Sequence, residues 1–381
     1  MKNKSIFLLL ILFVLAFVFL GCDNNQNDPE EPNKEQEEKK DFASGTGTEA
    51  DPFVIEEGYQ WVNISKDLDA YYVLGKDISL ASLENVEPIG NEQTPFKGNV
   101  DGKGFTISKA NISSKMNTGL FGVVSEATIK NINLDDVLLT YLNSDKSKVH
   151  FGVLAGQMKN GSVIENCHAR NIRIDQQATD GIYNVLGGLV GGIYNFSELV
   201  YCSVDMVFIG KNGGDGYYDF GGVAGICENS KMVGCAASGT VTITYRDGIV
   251  QAKSRRIGGL VYQATNSEIK YCYTDLDFVD NRDDESIAAL IYELNNESKV
   301  EYNVSYCKFR VDPLYGQYYK NKIPSNVSTQ VNLYFKAGEA YTLDDINNIV
   351  LADSFSQGYF KEGKLHPVLV DYEIFISNLE K

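Results

Sequence analysis

An all-β fold, a parallel β-helix of about eight coils closed by a small C-terminal cap with a short helix, is what this sequence predicts. Two observations carry the prediction. A phrase about 35 residues long is spoken six times between Asn117 and Arg310. Within each copy the segments are short, β-branched and aromatic, and they alternate apolar with polar residues between Gly, Asn, Asp and Ser. Runs such as Ser162 to His168 hold no 3.6-residue stripe long enough for a helix, which excludes helical repeats.

The clearest copy is Leu186-Gly-Gly-Leu-Val-Gly191 followed by Leu199-Val-Tyr-Cys202. Phe151 to Gly156 with Ile164 to Cys167, Phe220 to Gly225 with Met232 to Cys235, and Ile257 to Tyr262 with Ile269 to Cys272 repeat it. A degraded copy, Ile287 to Tyr292 with Val304 to Cys307, closes the series, and Gly119 to Gly122 with Ile129 to Ile132 opens it. The last residue of each phrase, Ile132, Cys167, Cys202, Cys235, Cys272 and Cys307, gives intervals of 35, 35, 33, 37 and 35 residues. Three strands and their turns fill one such coil, and counterparts then stack about 4.8 Å apart along the axis. The Gly pairs mark tight turns, and the terminal positions form an internal ladder.

Gly-Gly-Leu-Val-Gly followed by Ile/Leu-x-Asn/Tyr-Cys resembles the GLUG motif of bacterial surface proteins. Gly45 to Ile55, Tyr72 to Ile78 and Pro95 to Ile107 are similar to the usual opening of that family. The resemblance covers roughly residues 44–310 and implies a right-handed β-helix of the kind found in adhesin-like proteins and in non-catalytic parts of some secreted proteases. It brings no catalytic residue. Ala288-Ala289 in place of the Gly pair, and Tyr262 and Tyr292 in place of the closing Gly, read as repeats decaying toward the C-terminus.

Ahead of the repeats, Lys2 and Lys4 precede Ile6 to Leu20, an apolar run of signal-peptide length that is too short to span a bilayer. Its end, Phe19-Leu-Gly-Cys22, resembles a bacterial lipobox and implies a signal peptide over 1–21 with lipidation of Cys22, a palmitate-type anchor. Residues 22–43 then read as an acidic, disordered tether. The solenoid is expected over 44–311, with Trp61 covering the open N-terminal end of its core. Polar inserts at Tyr141 to His150, Asp175 to Asn184, Gly210 to Asp219, Tyr245 to Arg256 and Asp280 to Ser286 fall at one point of the coil, so they should project as a row. Residues 312–381 read as the cap: a strand at Val331 to Phe335, a helix at Leu343 to Leu351 and a strand pair within Tyr359 to Val370.

Chemistry-bearing residues are sparse. Stacked cysteines point in parallel, which suits buried thiols better than disulfides. His150, His168 and His366 come without H-E-x-x-H or G-x-S-x-G, so they read as solvated or turn residues, and neither a catalytic nor a metal site is expected. Asp175, Asp205 and Asp275 recur near one point of the repeat, as the acid–base or calcium set of a polysaccharide-cleaving β-helix would. Each also suits an outward strand position. The net charge of −17 disfavours nucleic acid as a partner. Asp283-Asp284-Glu285 and Asp344-Asp345 suit weak Ca2+ binding at most, and no cofactor is expected.

Tyr141, Tyr183, Tyr217, Tyr218 and Tyr245, with Arg255 and Arg256, lie in or beside the inserts and are the candidate ligand-binding residues. The expectation is therefore a non-catalytic, adhesin-like protein, held to the bacterial cell envelope by an N-terminal lipid and exposed at the cell surface. Its row of loops would bind a protein or glycan. A polysaccharide-degrading enzyme and a passive envelope spacer are the alternatives.

Overall fold

Four strands, not three, make one coil. The coil built by Tyr183–Gly187 (wall 1), Val190–Tyr194 (wall 2), Glu198–Val200 (wall 3) and Ser203–Asn212 (wall 4) is representative. The structure is a computed structural model that describes residues 39–141, 148–178, 183–212, 217–245, 256–280, 287–295, 298–311, 360–361, 368–369 and 371–379. Coils stack through parallel pairing, giving sheets of five strands for wall 1, six for wall 2, nine for wall 3 and ten for wall 4. Coils with all four walls begin at Val149, Tyr183, Tyr217, Arg256 and, with shortened strands, Ile287; earlier turns lack wall 1, so the expected eight coils become five four-walled ones preceded by partial ones.

The Gly pair explains why walls 1 and 2 read as one strand in the sequence. The chain crosses its own neighbours there without a loop. A Cβ on Gly221 would sit 1.8 Å from the Ala224 carbonyl oxygen, and one on Gly222 would sit 1.9 Å from that of Gly259. Wall 3 shows the simplest packing logic. In each three-residue strand only the middle side chain points inward, and register stacks Val100, Ile129, Ile164, Leu199, Met232, Ile269 and Val300 into one buried column. Each such side chain contributes about 1.5–3 kcal/mol relative to an exposed one.

The internal ladder ends differently from its expected course. Ile132, Cys167, Cys202, Cys235 and Cys272 follow wall 3 at one register position, and the cysteines are buried free thiols. Register carries the next place to Asn303, because Lys270 pairs with Glu301. Cys307 instead lies three residues beyond Val304 and occupies wall 4, with its Sγ 3.3 Å from Thr274 Oγ1. Asn303 is buried and bonds both ways: its Oδ1 accepts from the Cys272 N–H at 2.8 Å, and its Nδ2 donates to the Ile269 carbonyl at 2.8 Å.

The residue before each ladder position turns the chain in the left-handed region: Asn131, Asn166, Tyr201, Gly234, Tyr271 and Tyr302 have φ between 49° and 64°. Asn and Gly suit this corner; Tyr does not without compensation. Tyr201 and Tyr271 find that compensation in a helix beyond the expected one, Tyr372–Leu379. Its buried Phe375 packs 5.2 Å from the Tyr201 ring and 6.4 Å from the Tyr271 ring. Gly234, between them, leaves room for that ring, since a Cβ there would lie 2.3 Å from Phe375 Cζ. The cap also shows an antiparallel pair, Phe360–Lys361 with Val368–Leu369, inside the expected span. The strand at Val331 to Phe335 and the helix at Leu343 to Leu351 lie outside the described residues.

At the other end, the short helix Gly58–Val62 carries Trp61 fully into the core, 5.6 Å from the Phe121 ring. The Gln60 Oε1 accepts from the N–H groups of Glu56 and Glu57, which satisfies donors that the helix start leaves open.

Candidate functional site

Two polar constellations lie on the outer surface of the coils. The first follows the seam where the outward side chains of walls 1 and 2 meet. His150, Val185, Asp219 and Arg256 stack in one wall 1 column, and Gln157, Gly192, Ile226, Gln263 and Glu293 in the facing wall 2 column. Arg256 grips the fully buried Asp219 with two nitrogens, at 2.8 and 2.7 Å, and reaches Glu293 at 3.4 Å. Its guanidinium also lies 4.5 Å above the Tyr262 ring. Glu293 further accepts from Tyr262, Gln263 and Asn295. Burial alone would raise the Glu293 carboxyl, but these bonds and the Arg256 charge hold it below the usual carboxylate range.

His150, at the far end of the seam, is buried with both nitrogens engaged: Gln157 Nε2 at 2.7 Å from Nδ1, and Tyr194 Oη at 2.7 Å from Nε2. An amide nitrogen only donates, so Nδ1 accepts and Nε2 carries the proton. Burial, reinforced by the Lys148 charge, pulls its pKa down to about 3. Outward placement in the sequence pattern suggested a solvated histidine; the outward face here is a closed seam.

The second constellation is a groove of about 470 Å³ on the outer face of wall 4. His168, Ser203, Ala236 and Tyr273 form one column along it, and Arg170, Asp205 and Ser238 line it as well. His168 Nδ1 lies 2.9 Å from Ser203 Oγ, and Nε2 lies 3.0 Å from Asn166 Oδ1. A chain of amides continues from there: Asn166 Nδ2 donates to Asn131 Oδ1 at 2.8 Å, and Asn131 Nδ2 donates to Asp101 Oδ1 at 3.0 Å. Burial lowers the His168 pKa. Asp205 shares a column with Asp275 through Ser238, whereas Asp175 pairs with Thr140 and Ile209 elsewhere on the wall and is ion-paired to Arg173. The three aspartates considered for acid–base or calcium chemistry are not brought together.

Of the candidate ligand-binding residues, Arg256 is the one whose side chain the structure describes, and it is tied into the seam. Tyr183 pairs with Tyr217, Asn184 with Tyr218, Asn212 with Tyr245 and Ser114 with Tyr141, so these tyrosines belong to strand ends and not to loops. Arg255, His366, the tips of the inserts, Asp283 to Glu285, Asp344-Asp345 and Cys22 lie outside the described residues. Sequence reasoning missed Cys227, a buried thiol that burial pushes up to about 12, and the pairing of Ser203 with His168. A spacing of 35 residues between these two partners was the available signal.

Residues 61–170 match the family described as the M26 IgA1-specific metallo-endopeptidase N-terminal region. An immunoglobulin A1 protease of Streptococcus sanguinis is 24% identical over 202 residues, which are 46% of this chain and 10% of that protein. A protein of Evansella cellulosilytica described as a Gly-rich membrane protein candidate is 30% identical over 135 residues, 33% of this chain and 15% of that protein. The chain thus spans a small part of the length of these curated relatives. Among solved structures, an immunoglobulin A1 protease candidate from Bacteroides ovatus superposes with a TM-score of 0.52 at 16% identity, covering 86% of this chain and 95% of that one. A structure described as IgA1 protease superposes with a TM-score of 0.51 at 15% identity, covering 70% of this chain and 20% of that one. The structural likeness supports the β-solenoid.

A metallo-endopeptidase implies a zinc site, which needs three protein ligands and an open position. The described residues do not fit one. Both nitrogens of His150 and of His168 are held by neutral partners, and no group of three or more His, Cys, Asp or Glu side chains among the described residues is arranged to hold a metal. The matches to a peptidase family and to a named protease nevertheless overturn two expectations, that of a non-catalytic adhesin-like protein and that of a chain with no part in enzymatic chemistry.

Proposed function

We propose that this chain acts in proteolysis of an immunoglobulin-like glycoprotein, as a relative of the M26 peptidases, and that its solenoid engages the protein substrate. The observation that carries this reading is the family match over 61–170, which runs from the Trp61 helix into the long wall 4 strand that opens at His168. The fold suits the role. Stacked coils make a stiff rod whose walls present side chains in straight columns, and the polar seam around Arg256 and the groove around His168 both run along those columns. A long protein substrate would lie along such a rod and contact several coils together.

The GLUG-like repeats and a lipid anchor at Cys22 belong to the same proposal, placing the rod at the bacterial envelope. The Evansella relative, described as a membrane protein candidate, supports that location. Among the described residues no helix is long and apolar enough to cross a membrane.

Incubation of the full chain with immunoglobulin A1, with and without zinc, tests the reading by gel analysis and by co-precipitation. Retention of the immunoglobulin or its cleavage into discrete fragments is expected. Micromolar chain that neither retains nor cuts it would overturn the proposal. Mass analysis of the N-terminal peptide from chain expressed in a bacterial envelope tests the anchor, and an unmodified Cys22 would remove it.

A further inference from the structure

We infer that Ser203 is an activated nucleophile in the wall 4 groove, with His168 as its general base, and that it accepts the acyl group of small carboxylic esters. This goes beyond the proteolytic reading and does not depend on it.

Asp101 lies three hydrogen bonds away from the imidazole. An ionised carboxylate only accepts hydrogen bonds. Burial would raise the Asp101 carboxyl, but bonds from Asn131 and from Lys103 hold it below its ordinary range, so it is ionised at neutral pH. Asn131 must therefore turn its Nδ2 toward Asp101, at 3.0 Å. That leaves its Oδ1 for the next residue in the corner column, and Asn166 Nδ2 donates to it at 2.8 Å. Asn166 is then left with Oδ1 toward His168 Nε2, at 3.0 Å, so Nε2 must carry the imidazole proton. The Nδ1 of a neutral imidazole so oriented has a lone pair, and the Ser203 hydroxyl, 2.9 Å away, must donate to it. Reversing any one member would set donor against donor or acceptor against acceptor. The polarity of the whole chain is thus fixed by one carboxylate.

The result is the arrangement nucleophilic catalysis requires: a hydroxyl bonded to a neutral base whose tautomer is set by a third group. Here the serine meets Nδ1 and the orienting group meets Nε2. Burial keeps the His168 imidazole neutral, and the Tyr201 ring stands edge-on to it at 5.7 Å. Ser203 itself is half-buried at the start of its strand and faces the groove. In the reaction, Ser203 Oγ forms a bond to the acyl carbon and its proton passes to His168 Nδ1. The C–O bond to the leaving alcohol breaks, and that oxygen takes the proton back from Nδ1. Water, deprotonated by the same nitrogen, then releases the acid and restores the hydroxyl. Arg170, the cation among the groove's lining residues, is exposed and ion-paired to Asp135 at 3.0 Å, and would have to turn from that carboxylate to face the oxyanion. Ser203 and His168 are the catalytic residues; Asn166, Asn131 and Asp101 are positioning residues.

The test uses the full chain with p-nitrophenyl acetate, following nitrophenolate release and the mass of the peptide that holds Ser203. Acetylation at Ser203 is expected, and Ser203→Ala should abolish it while leaving the circular dichroism and melting unchanged. His168→Gln should slow it about 100-fold or more, since a general base contributes about 10²–10⁴. Asp101→Asn frees the chain to reverse; a rate about 10-fold lower is expected from one lost orienting bond. Imidazole 15N shifts should then move His168 away from the Nε2–H form, a change that a merely structural role would not produce. Acetylation of Ser203 no faster than of Ser238, one coil on and bonded to Asp205, overturns the inference. So does an unchanged rate in His168→Gln, or an Nδ1–H tautomer in the unmodified protein.

Discussion

Protonating His150 should unfold the seam, and the size of the effect follows from its surroundings. The imidazole is buried, and Lys148 adds a like charge, so its pKa falls to about 3 from an ordinary value near 6.5. A proton on Nδ1 would also point at Gln157 Nε2, a donor. A flip of that amide would relieve the clash but not the burial. The unfolded chain therefore binds this proton at a higher pH than the folded chain does. The corresponding stability is complete above about pH 6.5 and is lost as pH falls toward 3. At about 1.36 kcal/mol for each pH interval the full loss is about 5 kcal/mol, and about 2 kcal/mol is gone by pH 5. Urea titrations of the native chain and of His150→Gln at pH 7 and pH 5 isolate this contribution, because other titrating groups cancel in the comparison. The native chain should lose about 2 kcal/mol more than the variant between the two pH values. Equal losses would refute the reasoning and mean that charged His150 finds solvent or a partner on the folded seam.

Arg256→Met should cost about 3–5 kcal/mol by leaving the Asp219 carboxylate buried without its main partner, and adding Asp219→Leu should recover most of it in urea melts. Gly234→Ala should push Phe375 off Tyr201 and Tyr271; with about 1.5–3 kcal/mol of burial lost, amide protection of Tyr372–Leu379 should fall about 10–100-fold. The six described cysteines should resist a thiol reagent in the native protein and react fully in denaturant, since all are buried and free.

Much of the scaffold was legible because a solenoid writes its fold as a period. The interval near 35 residues located the stacking, and the inward positions of wall 3 followed from strand alternation. What escaped depends on neighbours one coil away. The Ser203 and His168 bond, the Asp219 and Arg256 pair, and the amide chain from Asp101 all join residues 30 to 37 positions apart, where no local motif exists. The helix over Tyr201 and Tyr271 escaped for a related reason. Aromatic residues at strand spacing look like strand residues until a left-handed corner turns their rings outward to meet something. Cys307 was misplaced because its 35-residue interval imitated the repeat, while Val300-Glu-Tyr-Asn303, with the phrase's own Tyr in place, was the true copy.

The same register changes the meaning of Ala288-Ala289, which in sequence looked like decay. The second glycine of each pair is needed by the coil above it: a Cβ on Gly188 would meet the Gly222 carbonyl oxygen at 2.1 Å, one on Gly222 would meet that of Gly259 at 1.9 Å, and one on Gly259 would meet that of Ala289 at 2.0 Å. Wall 1 ends with Ile287–Ala288, and among the described residues no further strand stacks on it. Among the described residues no carbonyl of a further coil stands over the Ala289 methyl, so that alanine stands where the described stack ends; Ala288 takes the first-glycine position, whose contact lies within its own coil, and the end of the stack does not explain it. Gly222→Ala should therefore push adjacent coils apart, costing about 1–3 kcal/mol as overpacking. Ala289→Gly should cost no more than about 1 kcal/mol of backbone entropy. Hydrogen exchange of the flanking wall 1 amides would distinguish these variants. Equal protection in both would mean that the backbone relaxes around the glycine crossing, and the alanines would then be neutral drift.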